Sequence, residues 1–103
     1  EYNPPKIFAA LKNANLLGKV KVVGFDENLE TLQQIRDGNC TGTVVQNPFM
    51  YGYQSIQVLN RLVNGDQTDL NESKYLDVPA KIIDKKNVDE FEKELKDNIA
   101  AGK

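Results

Sequence analysis

Apolar and polar positions switch between two periods along this chain, and the switches mark its elements. Ile7, Phe8, Leu11, Ala14 and Leu17 recur at helical spacing behind Asn3 and Pro4, which predicts a helix capped by Asn3, begun by Pro4 and stopped at Gly18. Val20 to Phe25 is then a short apolar run, the pattern of a buried strand, and it is followed by the acidic Asp26. Asn28 precedes the stripe Leu29, Leu32 and Ile35, and Gly38 occupies the place that ends such a helix. A second strand is expected over Gly42 to Val45. Asn47-Pro48 repeats the cap-plus-proline start, and Phe49, Tyr53, Ile56, Leu59 and Val63 carry a longer helix to Gly65, with Phe49 and Tyr53 expected in the core. The stretch from Asp66 to Asp77 is polar and reads as a surface connection. Val78 to Ile83 forms a third apolar run with Pro79 near its start, where a missing amide donor harms a sheet least. Asn87 with Glu90 gives a capping-box variant, and Val88, Phe91, Leu95 and Ile99 line a terminal helix.

Helix, strand, helix, strand, helix, loop, strand, helix is an α/β order, which implies parallel strands with helices on the sheet faces. Three strands make a thin sheet of this kind, and the chain opens on a helix with no earlier strand to pack against. The expectation is therefore the end of a longer protein. Taken alone, such a piece is expected to leave apolar sheet and helix faces exposed.

Composition narrows the function more by exclusion than by assignment. The 103 residues suffice for one ordinary core, and the net charge of −2 argues against a phosphate-binding surface, so no nucleic acid partner is expected. No apolar stretch reaches membrane-spanning length, and Glu1-Tyr2-Asn3-Pro4-Pro5 is not a signal peptide, so any secretory address is expected outside these residues. With no histidine there is no Ser-His-Asp triad, no His-based zinc motif and no imidazole base. The single Cys40 therefore reads as a small, partly buried residue. Neither the dinucleotide fingerprint nor the phosphate-binding loop is present. The expected reading is no enzyme, no cofactor and no metal.

Two residues stand apart. Asp26 and Gln46 each follow an apolar strand, at the carboxyl edge where open parallel sheets bind ligands. An aspartate there accepts hydrogen bonds from two hydroxyls, and a glutamine amide both donates and accepts, which suits a neutral polyol. The same residues fit a local role equally well, Asp26 satisfying loop amides or the next helix start and Gln46 bonding to turn backbone. Phe25, Phe49, Tyr51 and Tyr53 could offer faces on which a sugar ring stacks.

The run Leu16-Leu17-Gly18-Lys19-Val20-Lys21-Val22-Val23-Gly24-Phe25-Asp26, then Ile35-Arg36-Asp37-Gly38, then Val44-Val45-Gln46-Asn47-Pro48 with Gly52-Tyr53, resembles the C-terminal third of type I periplasmic sugar-binding proteins. These are the ribose-binding-like components of ABC importers. The resemblance implies two α/β lobes joined by three crossings, with this chain supplying about three strands and four helices. Residues 1–45 would be part of the C-terminal lobe, 46–80 a hinge crossing and a segment of the N-terminal lobe, and 81–103 the return with the terminal helix. It implies that Asp26, in the Gly-Phe-Asp motif, accepts hydrogen bonds from sugar hydroxyls and that Gln46 also reaches the sugar. The family's remaining ligand residues have no counterpart here. The implied partners are a sugar, an ABC permease and the preceding part of the same protein. The implied location is periplasmic or extracellular, with a lipid anchor a possibility at the N-terminus.

The rival readings are the effector domain of a LacI-type transcription regulator, a membrane sugar sensor, and a flavodoxin-like enzyme or receiver with Asp26 as nucleophile. The tail Lys85-Lys86-Asn87-Val88-Asp89-Glu90-Phe91 resembles importer-binding proteins rather than regulators. The last strand offers only Asp84-Lys85 toward a receiver site.

Overall fold

The computed structural model describes residues 2–66 and 75–102. Its elements are α1 (Asn3–Asn13), β1 (Val23–Phe25), α2 (Leu29–Arg36), β2 (Gly42–Val45), α3 (Pro48–Val63), β3 (Lys81–Ile83) and α4 (Val88–Ala100). They fall into two compact units, one of Glu1–Val45 with Lys81–Lys103 and one of Gln46–Ala80.

In the first unit β1 pairs parallel with β2, through Val23↔Gly42, Gly24↔Thr43 and Phe25↔Val44. β3 lies on the other side of β2 and runs antiparallel to it, through Thr43↔Ile83, Val44↔Ile82 and Val45↔Lys81. This corrects the expectation of an all-parallel sheet. An apolar run satisfies either direction equally, and this one enters beside the last residue of β2 and returns along it.

Alternation along the strands separates two faces. Val22, Gly24, Thr43, Val45 and Ile83 are buried, and the apolar ones pack with Phe8 of α1, Leu32 and Ile35 of α2, Cys40 and Val88 of α4. Leu11, Leu17 and Phe91 close the margin of this core. On the other face Phe25, Val44 and Ile82 stand in one cross-strand row, with Phe25 61% and Ile82 70% exposed. The helices of this unit thus share one face of the sheet, rather than flanking both.

Several boundaries depart from the sequence pattern for local reasons. Asn3 lies inside α1 instead of capping it; the cap position is Tyr2, and no side chain bonds the first amides. α1 ends at Asn13 rather than Gly18, because Asn15 turns left-handed at φ 56° and the Leu16 amide bonds the Leu11 carbonyl at 2.8 Å. Leu17 therefore reaches the core from a turn. β1 begins at Val23 rather than Val20, since its partner β2 starts at Gly42; Val22 still accepts a hydrogen bond from the Thr41 amide at 2.8 Å. β3 is confined to Lys81–Ile83, leaving Pro79 outside the ladder.

The start and end of α2 behave as the pattern predicts. Asn28 Oδ1 accepts from the Glu30 amide at 3.0 Å, and Gly38, at φ 81°, follows the end of α2. Asn87 is an exception to its predicted capping box. It accepts from the Asp84 amide at 2.9 Å and donates to the Ile82 carbonyl at 3.0 Å, so it closes the turn from β3 into α4 and caps nothing with its side chain. α2 and α4 are tied by Arg36, which donates to Asp89 at 2.6 Å and to Glu92.

In the second unit α3 starts as predicted, with Asn47 Oδ1 accepting from the Met50 amide at 3.0 Å and Pro48 at the first turn. Its stripe is not core: no residue of α3 is buried, Phe49 is 56% and Tyr53 51% exposed, and the two rings stack on each other at 6.0 Å. The helical period identifies an apolar face without specifying that anything in this chain covers it. Most of the expected surface connection, residues 67–74, lies outside the described residues.

Candidate functional site

Gly24 and Phe25 end β1, and Asp26 follows where the sheet gives way to the loop before α2. Gly24 is there for space: a Cβ on it would come within 3.2 Å of both Pro4 and the Thr43 hydroxyl. Asp26 is half-buried and adopts the left-handed region at φ 67°. For a residue with a Cβ that conformation costs roughly 1–2 kcal/mol, although aspartate tolerates it better than most. Two bonds hold it. The Asp26 amide donates to the Val44 carbonyl at 2.8 Å, and the Thr43 hydroxyl donates to the Asp26 carbonyl at 2.9 Å. Asp26 is thereby fixed to β2 through the peptide groups on either side of its Cα. The carboxylate is carried by backbone whose torsion is set before any ligand arrives, which is what a hydroxyl acceptor in a binding site requires.

Gln46 follows Val45, the last residue of β2, and is exposed; it is the first residue of the second unit. Asp26 and Gln46 thus belong to different units, and each is placed by its own. Phe25, adjacent to Asp26, presents an exposed ring on the open sheet face.

Thr43 carries no mark in the sequence reading, yet it is buried and bonded to Asp26. A signal was present: it is the sole hydroxyl in the strand Gly42-Thr43-Val44-Val45, at the position that pairs with the glycine of Gly-Phe-Asp.

An open depression of about 470 Å³ between α2 and α4 is lined by charged groups, among them Arg36, Asp89, Glu92 and Lys96, and these pair with one another. Cys40 is buried, its Sγ 3.4 Å from the carbonyls of Val22 and Gly42. Burial pushes its thiol up, partly offset by the Gly42 contact. Among the described residues no group of three His, Cys, Asp or Glu could hold a metal ion, and no helix is long and apolar enough to cross a membrane.

The sequence profile described as "Periplasmic binding protein domain" matches residues 2–67. Among solved structures, a chain of a mutant XylFII–LytSN complex superposes with a TM-score of 0.60 at 30% identity, over 78% of this chain and 26% of that one. The chain therefore spans about a quarter of that relative. Comparison with curated proteins gave no match. The profile covers Gly-Phe-Asp, β2, Gln46 and all of α3, and the superposition agrees with the α/β architecture; the chain belongs to the periplasmic binding protein family.

Proposed function

We propose that this chain is part of a protein that binds a mono- or small saccharide outside the cytoplasm and hands it to an ABC importer. The observation that carries the reading is Asp26, a carboxylate at the carboxyl end of a parallel strand, held in a left-handed turn by two backbone-directed bonds. Sugars present hydroxyls that each donate and accept, and a fixed carboxylate bonds two of them with charge-assisted strength. In this reading Gln46 supplies a further amide contact. Residues 1–45 and 81–103 belong to the C-terminal lobe, and 46–80 to a hinge crossing and part of the N-terminal lobe. The site performs binding and release, with no bond made or broken. A lipid anchor upstream would keep the protein at the membrane.

The test is a thermal-shift screen of D-ribose, D-xylose, D-glucose and D-galactose on the full-length protein, followed by calorimetry with the sugar giving the largest shift. Asp26→Ala is expected to weaken binding by about 1.5–3 kcal/mol, the scale of a hydrogen bond to a charged group. Absence of any shift, or unchanged affinity in Asp26→Ala, overturns the assignment.

A second reading, in which the loaded protein reports to another protein rather than to a permease, is favoured by one observation: the solved relative was captured in a complex with LytSN. Crosslinking at the cell envelope separates the two, according to whether the adduct contains a permease.

A further inference from the structure

We infer that Thr43 is a positioning residue for sugar binding, acting through the backbone of Asp26; the inference rests on the reading of Asp26 as a sugar ligand. Thr43 lies on β2, in the register pair opposite Gly24, and is 1% exposed. Its hydroxyl is 2.9 Å from the Asp26 carbonyl oxygen, to which it donates. β1 ends at Phe25, and Asp26 takes up φ 67° immediately beyond it. The strand-to-strand bond from the Asp26 amide to the Val44 carbonyl fixes only the preceding peptide. The hydroxyl fixes the following one, and the two together set the direction in which Asp26 projects its Cβ.

Gly24 completes the arrangement. A Cβ there would lie 3.2 Å from the Thr43 hydroxyl oxygen, a tight contact, so the glycine of Gly-Phe-Asp leaves the hydroxyl room. A valine at position 43 would keep the shape and volume of the side chain and remove only the donor.

The experiment uses the full-length protein and the best-shifting sugar of the four-member panel, with affinity measured by calorimetry for Thr43→Val, Thr43→Ser, Asp26→Ala and the Thr43→Val/Asp26→Ala double variant. Thr43→Val is expected to weaken binding roughly three- to tenfold, the range of one lost hydrogen bond, and Thr43→Ser to restore it to within about twofold. In the Asp26→Ala background Thr43→Val is expected to leave the residual affinity unchanged, because the carboxylate it positions is gone. A purely structural threonine would lower the melting temperature in both backgrounds and leave affinity alone. Wild-type affinity in Thr43→Val beside a weakened Asp26→Ala overturns this inference and leaves the sugar site standing. Equal losses from Thr43→Val in both backgrounds also overturn it. Unchanged affinity in Asp26→Ala removes the site and the inference together.

Discussion

Arg36 and Glu92 join α2 to α4 across 56 positions of sequence, and Glu92 bonds at the same time to Lys96, one turn further along its own helix. The Glu92 carboxyl is held below its ordinary value of 4.5 by the hydrogen bond from Lys96 first and that from Arg36 second, against the opposing effect of burial. A carboxylate that binds its proton less readily folded than unfolded contributes stability that is complete above its unfolded value and disappears as pH falls through the lowered native one. Urea midpoints measured from about pH 7 down to about pH 3 should therefore decline below the ordinary carboxylate range. Glu92→Gln should start lower at neutral pH and fall less steeply; a parallel acid limb in the variant would contradict this.

Asp26→Asn separates folding from binding. Asparagine is at ease in the left-handed region, so the turn at φ 67° should persist. The charge is gone, so affinity for sugar should fall. A large loss of stability in this variant would mean that the carboxylate serves the fold.

Gly42 has no room for a side chain. A Cβ there would lie 2.7 Å from the Ile83 carbonyl oxygen, which belongs to the backbone of the neighbouring strand and cannot swing aside. Gly42→Ala should destabilise the first unit by about 1–3 kcal/mol, the usual cost of forcing an extra carbon into packed structure. Equilibrium denaturation of the variant gives the value directly, and a neutral result would show that β2 and β3 separate at little cost.

The Cys40 thiol should resist modification while the chain is folded. It is 4% exposed and pushed up by burial, so little thiolate forms near neutral pH and a reagent has no path to it. Reaction with a chromogenic disulfide should be slow in buffer and fast in denaturant. Rapid labelling without denaturant would place the sulfur nearer the surface than described.

What could be read from the chain followed the range of the interaction. α2 was legible because its Asn28 cap, its stripe through Leu32 and Ile35 and its closing Gly38 all act within a few residues. The direction of β3 was not, because Val78 to Ile83 carries no mark of which way its neighbour runs. The excess length assigned to β1 has the same origin, since Val20 and Lys21 are strand-like but lie beyond the start of β2. For α3 the stripe Phe49, Tyr53, Ile56, Leu59 and Val63 is real, but a stripe alone does not name its partner. Asp26 was visible as a polar residue ending an apolar strand. Its positive φ and its bond to Thr43 arise only when β1 and β2 are side by side, so no local pattern encodes them.

The antiparallel pairing of β2 with β3 makes Val45 and Lys81 direct neighbours, and between them the chain departs for residues 46–80 and comes back. Two adjacent antiparallel strand ends are the endpoints of a hairpin. Replacing residues 46–80 with Asn-Gly would close that hairpin by the shortest natural loop and leave every strand partner of β1, β2 and β3 as it is. Within the sheet, the place where residues 46–80 leave and return is that of a hairpin loop, and the junction offers a cut-and-join point for domain exchange that keeps the sheet's register.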